Sequence, residues 1–184
     1  SGSNVSNRSA HGGGAFGVTL MDCLVAGNVS SIYKTSASDA SNGGGLDSCL
    51  AINCTVVSNT AGTSGGVYDG VYTNCIVWSN ASTKDANATP NYSNDVAMAY
   101  SCTSPSSEAL AAVDLHNIFA DPGFKDPSAG NYRLTTASPC CNAGCNFPWM
   151  DAAIDLDGNP RIRTRRVDMG AYETTTMGFS IHIK

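Results

Sequence analysis

The sequence predicts a single domain of the all-β class, wound as a solenoid in which equivalent residues stack in columns. Three observations carry this. One line of text recurs: His11–Asn28 reads HGGGAFGVTLMDCLVAGN and Asn42–Asn59 reads NGGGLDSCLAINCTVVSN. The segments between the glycines and asparagines (VTL, CLV, CTVV, VYT, CIVW) are short and β-rich, without the three- and four-residue apolar spacing of a helix. The chain is also sparsely charged, 14% against roughly 25% in an average globular protein, and holds 19 glycines in 184 residues. Such a composition suits many strands separated by turns, not a charged disordered tail.

The windings come first, over residues 1–118. Cys23, Cys54 and Cys75 are each followed two residues later by Val25, Val56 and Val77, and five residues later by Asn28, Asn59 and Asn80. Asp22, Asn53 and Asn74 precede them, and glycines (12–14, 43–45, 65–66) lie upstream. The cysteines stand 31 and then 21 residues apart, and the extra ten fall in a polar loop insertion at 30–41. A second insertion is expected at 81–101, with a fourth winding at Ala99–Cys102. A period near 21 with strand signals places each winding over the last at the sheet spacing of ~4.8 Å. Cysteine and valine, two apart, then share the inward side of a strand. The asparagines take a corner, where they tolerate left-handed backbone angles and bond the amides above and below. The glycines take another corner, where a β-carbon would clash or φ must be positive.

The second half supplies DPGF (121–124), NYRL (131–134), SPCCNAG (138–144), DLDGNPR (155–161) and VDMGAYE (167–173). With the Gly/Cys/Asn repeat, these motifs resemble the right-handed parallel β-helix proteins of bacterial surfaces and secretions. The resemblance implies a right-handed winding, a closing segment at 119–173 and a secreted or cell-surface location. Related β-helices include adhesins, passenger domains, polysaccharide lyases and glycoside hydrolases, so the fold alone does not fix the function. The expected function is a structural or adhesive module; the alternatives are a polysaccharide lyase or glycoside hydrolase, or a non-catalytic carbohydrate-binding module. The opening SGSNVSNRSA has neither a charged start nor an apolar stretch, so the chain is expected to be a mature secreted product or a piece of a longer protein. In the terminal strand, 174–184, Met177, Phe179, Ile181 and Ile183 alternate with polar or small residues. That apolar face points to assembly with a second copy, end to end or by strand addition. Extracellular glycans are the other expected partner.

Charge excludes further classes. A net charge of -5 does not suit phosphate binding, and the basic run at 161–166 is flanked by Asp155, Asp157 and Asp168, reading as a compensated surface. No apolar run approaches the ~18 residues of a membrane span. Among carboxylates, Asp47 and Asp69 occupy similar places in successive windings and are the candidate catalytic pair of a glycosidase. Asp151, Asp155, Asp157, Arg161 and Arg163 form the one neighbourhood with lyase-like chemistry. Asp155, Asp157 and Asn159 could ligate calcium, but DLDGNP reads equally as a capped glycine turn, and no bidentate glutamate follows; no cofactor is expected otherwise.

Cys102, Cys140, Cys141 and Cys145 are the disulfide candidates in a secreted chain, and Cys102 with Cys140 or Cys141 is preferred because these lie outside the interior ladder. Cys23, Cys54 and Cys75 should stay reduced, since stacked Cβ atoms lie nearly 5 Å apart against the ~3.8 Å mean of a disulfide. His11, His116 and His182 are isolated in sequence. Tyr33, Tyr68, Tyr72 and Trp78 could line a sugar-binding face, with Trp78 packing under the 81–101 loop as the plainer fate.

Overall fold

The structure, a computed structural model, describes residues 11–30, 41–84, 90–93, 95–105, 107 and 109–174. Among these the chain is β-rich, with parallel sheets and no α-helix; its helical turns are three short 3-10 segments, Val113–Leu115, Pro127–Ala129 and Pro148–Ala152. The strands, in order, are β1 (Ala15–Phe16), β2 (Thr19–Met21), β3 (Leu24–Ala26), β4 (Leu46–Ile52), β5 (Thr55–Val57), β6 (Thr60–Ala61), β7 (Val67–Thr73), β8 (Ile76–Trp78), β9 (Ala81–Ser82), β10 (Val96–Ala99), β11 (Cys102–Thr103), β12 (Phe124–Asp126) and β13 (Asn131–Leu134).

Sheet 1 has β1 and β2 on β4, then β7, then β10; sheet 2 runs β3, β5, β8, β11; β6 and β9 form a third pair. All these pairings are parallel, and the chain visits the sheets in rotation. Val25, Val56 and Val77 stand in one row, and Ala26, Val57 and Trp78 in another. The cysteines follow: Cys23 O accepts from Thr55 N at 2.9 Å, Cys54 O from Ile76 N at 2.9 Å and Cys75 O from Cys102 N at 2.8 Å.

A first core lies between the sheets. Cys54, Cys75, Val25, Val56 and Val77 meet Leu46, Ala51, Val67, Tyr72 and Met98 there, with Cys23 at its margin. Cys49, which the repeat does not predict, joins this core from β4. Its carbonyl oxygen would lie 2.2 Å from a β-carbon at position 70, which is why Gly70, at φ +103°, stands opposite it.

The asparagine ladder is present. Asn28 Nδ2 donates to Asn59 Oδ1, Asn59 Nδ2 to Asn80 Oδ1 and Asn80 Nδ2 to Asn91 Oδ1, each at 3.0 Å. Each acceptor oxygen also takes the backbone N–H of the residue above it. Asn91 ends the ladder by donating to Ser104 O at 2.8 Å. The left-handed backbone expected at these asparagines falls one residue earlier, at Gly27, Ser58 and Ser79. The reason is that the asparagine must turn inward to bond its neighbours, so the preceding residue makes the corner.

A second column carries positive φ at every level: Asp22 (52°), Asn53 (53°), Asn74 (54°), Tyr100 (50°) and His116 (53°). Asn53 Nδ2 donates to Asp22 Oδ1 and Asn74 Nδ2 to Asn53 Oδ1. Tyrosine tolerates this conformation less well than asparagine, aspartate or histidine; the Tyr100 and His116 rings meet in a tilted contact with centroids 4.6 Å apart.

The insertion expected at 81–101 is shorter than read. β9 and β10 lie within that span, and β10 is the last strand of sheet 1. Its alternation, Val96 and Met98 buried and Ala97 exposed, spans only four residues, too few to stand out in sequence.

Segment 119–174 forms a second core against the outer side of sheet 2. Ile76, Cys102, Leu134, Cys140 and Met169 cluster there, and Trp78 packs against them. The tryptophan is thus partly covered by this segment, with Tyr100 in the same cluster. Hydrogen bonds fix the cover: Gly170 N to Asn74 O at 2.7 Å, Ala171 N to Thr55 Oγ1 at 3.0 Å, and Cys145 N to Asn74 Oδ1 at 2.7 Å.

Candidate functional site

The two carboxylates proposed as a catalytic pair stand differently. In the register of β4 and β7, Asp47 is opposite Tyr68, and Asp69 comes one residue later. Asp47 is buried, accepting from Ser48 Oγ at 2.8 Å; Asp69 is exposed and accepts from the adjacent Gly70 N at 2.6 Å. The two carboxylates therefore sit in different environments, one buried and one in water.

Asp47 has a partner that sequence reading missed. His11 Nδ1 lies 3.0 Å from Asp47 Oδ2. The histidine is exposed, and its ring meets exposed Phe16 at 5.4 Å between centroids. Phe16, Asp47 and Tyr68 are in register across β1, β4 and β7. The one available signal was positional: His11 precedes its glycines as Asn42 precedes the next set, and the two residues bridge.

The closing segment holds the most charged ground. Arg161 is fully buried, not part of a compensated surface; Arg163, Arg165 and Arg166 of the same run are exposed. Arg161 Nε lies 3.4 Å from Asp22 Oδ1, and Nη2 lies 3.4 Å from Glu173 Oε1 and donates to Gly170 O at 3.1 Å. It therefore ties the turn after β2 to the VDMGAYE motif. Burial pushes the Glu173 carboxyl up to about 8, the Arg161 charge only partly offsetting it, and burial also raises Asp22.

The residues read as a calcium set are engaged otherwise. Asp155 Oδ1 accepts from Asp157 N at 2.9 Å and Asn159 N at 2.7 Å, and its Oδ2 accepts from Glu173 N at 2.7 Å. Asp157 pairs in a bidentate fashion with Arg133, which raises the arginine. Asn159 Oδ1 accepts from Arg163 Nη1 at 3.2 Å. DLDGNP is a capped turn around Gly158, at φ +83°. Asp151, the remaining member of the lyase-like neighbourhood, is exposed. Among the described residues no group of three or more His, Cys, Asp and Glu side chains is placed to hold a metal.

All eight cysteines are free thiols. Cys23, Cys54 and Cys75 donate to the carbonyl two residues back, Met21, Ile52 and Thr73. The neighbouring Cys54 thiol and burial hold the Cys23 thiol far above its ordinary range. Cys102 and Cys140 are brought together in the second core, both fully buried. Cys141 instead donates to Thr135 O at 3.4 Å, and Cys145 lies toward Asn146 O at 3.8 Å.

Sheet 1 presents an apolar outer face. Leu50 and Val71 are in register between Thr19 and Ala97, and Met21, Ile52, Thr73 and Ala99 form the next row. Phe16, Met21, Leu50 and Val71 are all exposed. At its β10 end the face runs into a cavity of about 290 Å³ lined by Val71, Val96, Ala97, Leu110 and Leu115. Of the aromatics considered for a sugar-binding face, Tyr72 is buried with its hydroxyl donating to Asp69 O at 2.7 Å, and Tyr33 lies outside the described residues. The proposed assembly residues Met177, Phe179, Ile181 and Ile183, and His182, also lie outside them. No helix among the described residues is long and apolar enough to cross a membrane.

No protein-family model, curated protein or solved structure matches the chain.

Proposed function

We propose that the chain is a right-handed parallel β-helix module of a secreted or cell-surface bacterial protein, with a structural or adhesive role and assembly with a second copy. The observation that carries this reading is the use of the repeated residues. Asparagines 28, 59, 80 and 91 bond one another, and the repeated cysteines and valines fill the first core. The pattern that made the sequence distinctive is consumed by stacking. The bare apolar face of sheet 1 supports association, since a soluble monomer gains nothing by keeping Leu50 and Val71 in water.

The test is sedimentation and light scattering of the full chain and of a chain lacking Thr176–Lys184. Concentration-dependent oligomers that weaken on truncation are expected. A monomer at all concentrations, unchanged by the deletion, counts against assembly.

A second reading, glycan binding or cleavage, draws on the row of Phe16, Asp47 and Tyr68 beside His11, where aromatic rings border a carboxylate–imidazole pair. A glycan array with Phe16→Ala and His11→Ala variants, and a degradation screen with Asp47→Ala and Asp69→Ala, tests it. Binding that survives the loss of Phe16 and His11 would remove that row from the reading.

A further inference from the structure

We propose that Cys102 and Cys140 become a disulfide as the chain folds, and that this bond staples segment 119–174 to sheet 2. Cys102 sits in β11, in register with Ile76 and bridged to Ile118. Cys140 sits in the turn of the SPCCNAG motif, its N–H on Ser138 Oγ at 3.0 Å and its carbonyl accepting from Met169 N at 3.0 Å. The two cysteines lie in one apolar cluster, each at 0% exposure, with the Cys102 thiol donating to Ala120 O at 3.3 Å. They come from segments that share no ladder pairing, so no strand spacing fixes the distance between their β-carbons. Cys23, Cys54 and Cys75 differ: parallel pairing holds their strands at ~4.8 Å, beyond the usual Cβ separation of a disulfide. Of the adjacent cysteines, Cys140 is the fully buried member of the cluster that holds Cys102, whereas Cys141 is only partly buried at its margin, with its thiol on Thr135 O.

The chemistry is thiol–disulfide exchange with a small disulfide of the glutathione class. One thiolate attacks the oxidant, giving a mixed disulfide and releasing one small thiol. The second thiolate displaces the other. Together the cysteines lose two protons and two electrons, and the oxidant leaves as two thiols. The attacking species must be a thiolate. In the folded protein the Cys140 thiol beside it, together with burial, holds the Cys102 thiol far above its ordinary range. Exchange is therefore confined to the chain before this core closes, and once closed either redox state is trapped. The bridge encloses Thr103–Pro139, a long loop whose freedom it removes from the unfolded chain.

The test is refolding of the full chain from denaturant in a glutathione redox buffer, followed by thiol counting under denaturing conditions and peptide mapping. Two fewer free thiols than the eight in the sequence are expected, with tryptic peptide 85–125 joined to peptide 134–161 and fragmentation placing the link on Cys140. Cys141→Ser keeps the bridge and Cys140→Ser loses it. Chain folded in reductant and then given the same oxidant retains all its thiols over hours. A full complement of thiols after oxidative refolding overturns the proposal, as does a link through Cys141, Cys145 or a column cysteine. Rapid oxidation of the folded chain overturns the timing. Should Cys140→Ser fail to fold, the wild-type map alone decides.

Discussion

The outer faces of sheets 1 and 2 are built alike and end differently. Each presents rows of apolar and β-branched side chains: Thr19, Leu50, Val71 and Ala97 on sheet 1, Leu24, Thr55, Ile76 and Cys102 on sheet 2. Yet Val71 is 48% exposed and Ile76 only 1%. Residue type does not explain this, since valine and isoleucine bury equally well. The difference is where segment 119–174 lies. It bonds to Asn74 and Thr55, at the turn into sheet 2 and within it, and so covers the outer face of that sheet.

The largest expected effect contrasts the two faces directly. Ile76→Ala should cost about 2–5 kcal/mol, because a cavity opens in the second core, whereas Val71→Ala should cost under ~1 kcal/mol. Urea unfolding measures both, and equal costs would mean that segment 119–174 is not packed on sheet 2. Lys substitutions at Leu50 and Val71 sharpen the same contrast, lowering the binding of an apolar dye while changing the unfolding free energy by no more than ~0.5 kcal/mol.

Next comes a pair of glycines. A β-carbon on Gly170, at φ +92°, would lie 2.7 Å from Thr55 Oγ1 and 2.9 Å from Ile76 Cδ1. One on Gly17, at φ +64° between β1 and β2, meets nothing within 4 Å. Gly170→Ala should therefore cost roughly 2–4 kcal/mol and Gly17→Ala about 1, the strain of the left-handed backbone alone.

The smallest effect is in pH. Glu173 has a raised folded-state value of about 8 against an ordinary 4.5, so the folded chain binds its proton more tightly than the unfolded one. Its contribution is complete below about 4.5 and is lost as pH rises through about 8. Stability should fall by roughly 1–2 kcal/mol across that window. Glu173→Gln, which cannot ionise, should flatten the slope in thermal melts between pH 5 and 8. An unchanged slope would assign the loss to another group.

What was legible in sequence was what the repeat itself encodes. The spacing of Cys, Val and Asn gave the rows, because a side-chain direction that recurs every two residues and a sequence repeat near 21 leave few ways to pair the strands. The position of the left-handed corner was not legible, since Gly27, Ser58 and Ser79 differ in type while sharing a conformation. Nor was Asn91, which completes the ladder from outside the repeat. His11 meets Asp47 from 36 residues away, and Arg161 meets Asp22 from the opposite half of the chain. No local pattern records contacts of that range.

By itself the sequence determined the β-rich class, the parallel rows and the burial of the repeated cysteines and valines, because periodicity is a local property that survives without coordinates. Only the tertiary structure decided which sheet is covered, which cysteine shares the buried cluster with Cys102 and that Arg161 is buried among carboxylates. Those outcomes depend on where one irregular segment docks, and docking is set by the summed fit of many distant contacts rather than by any spacing along the chain.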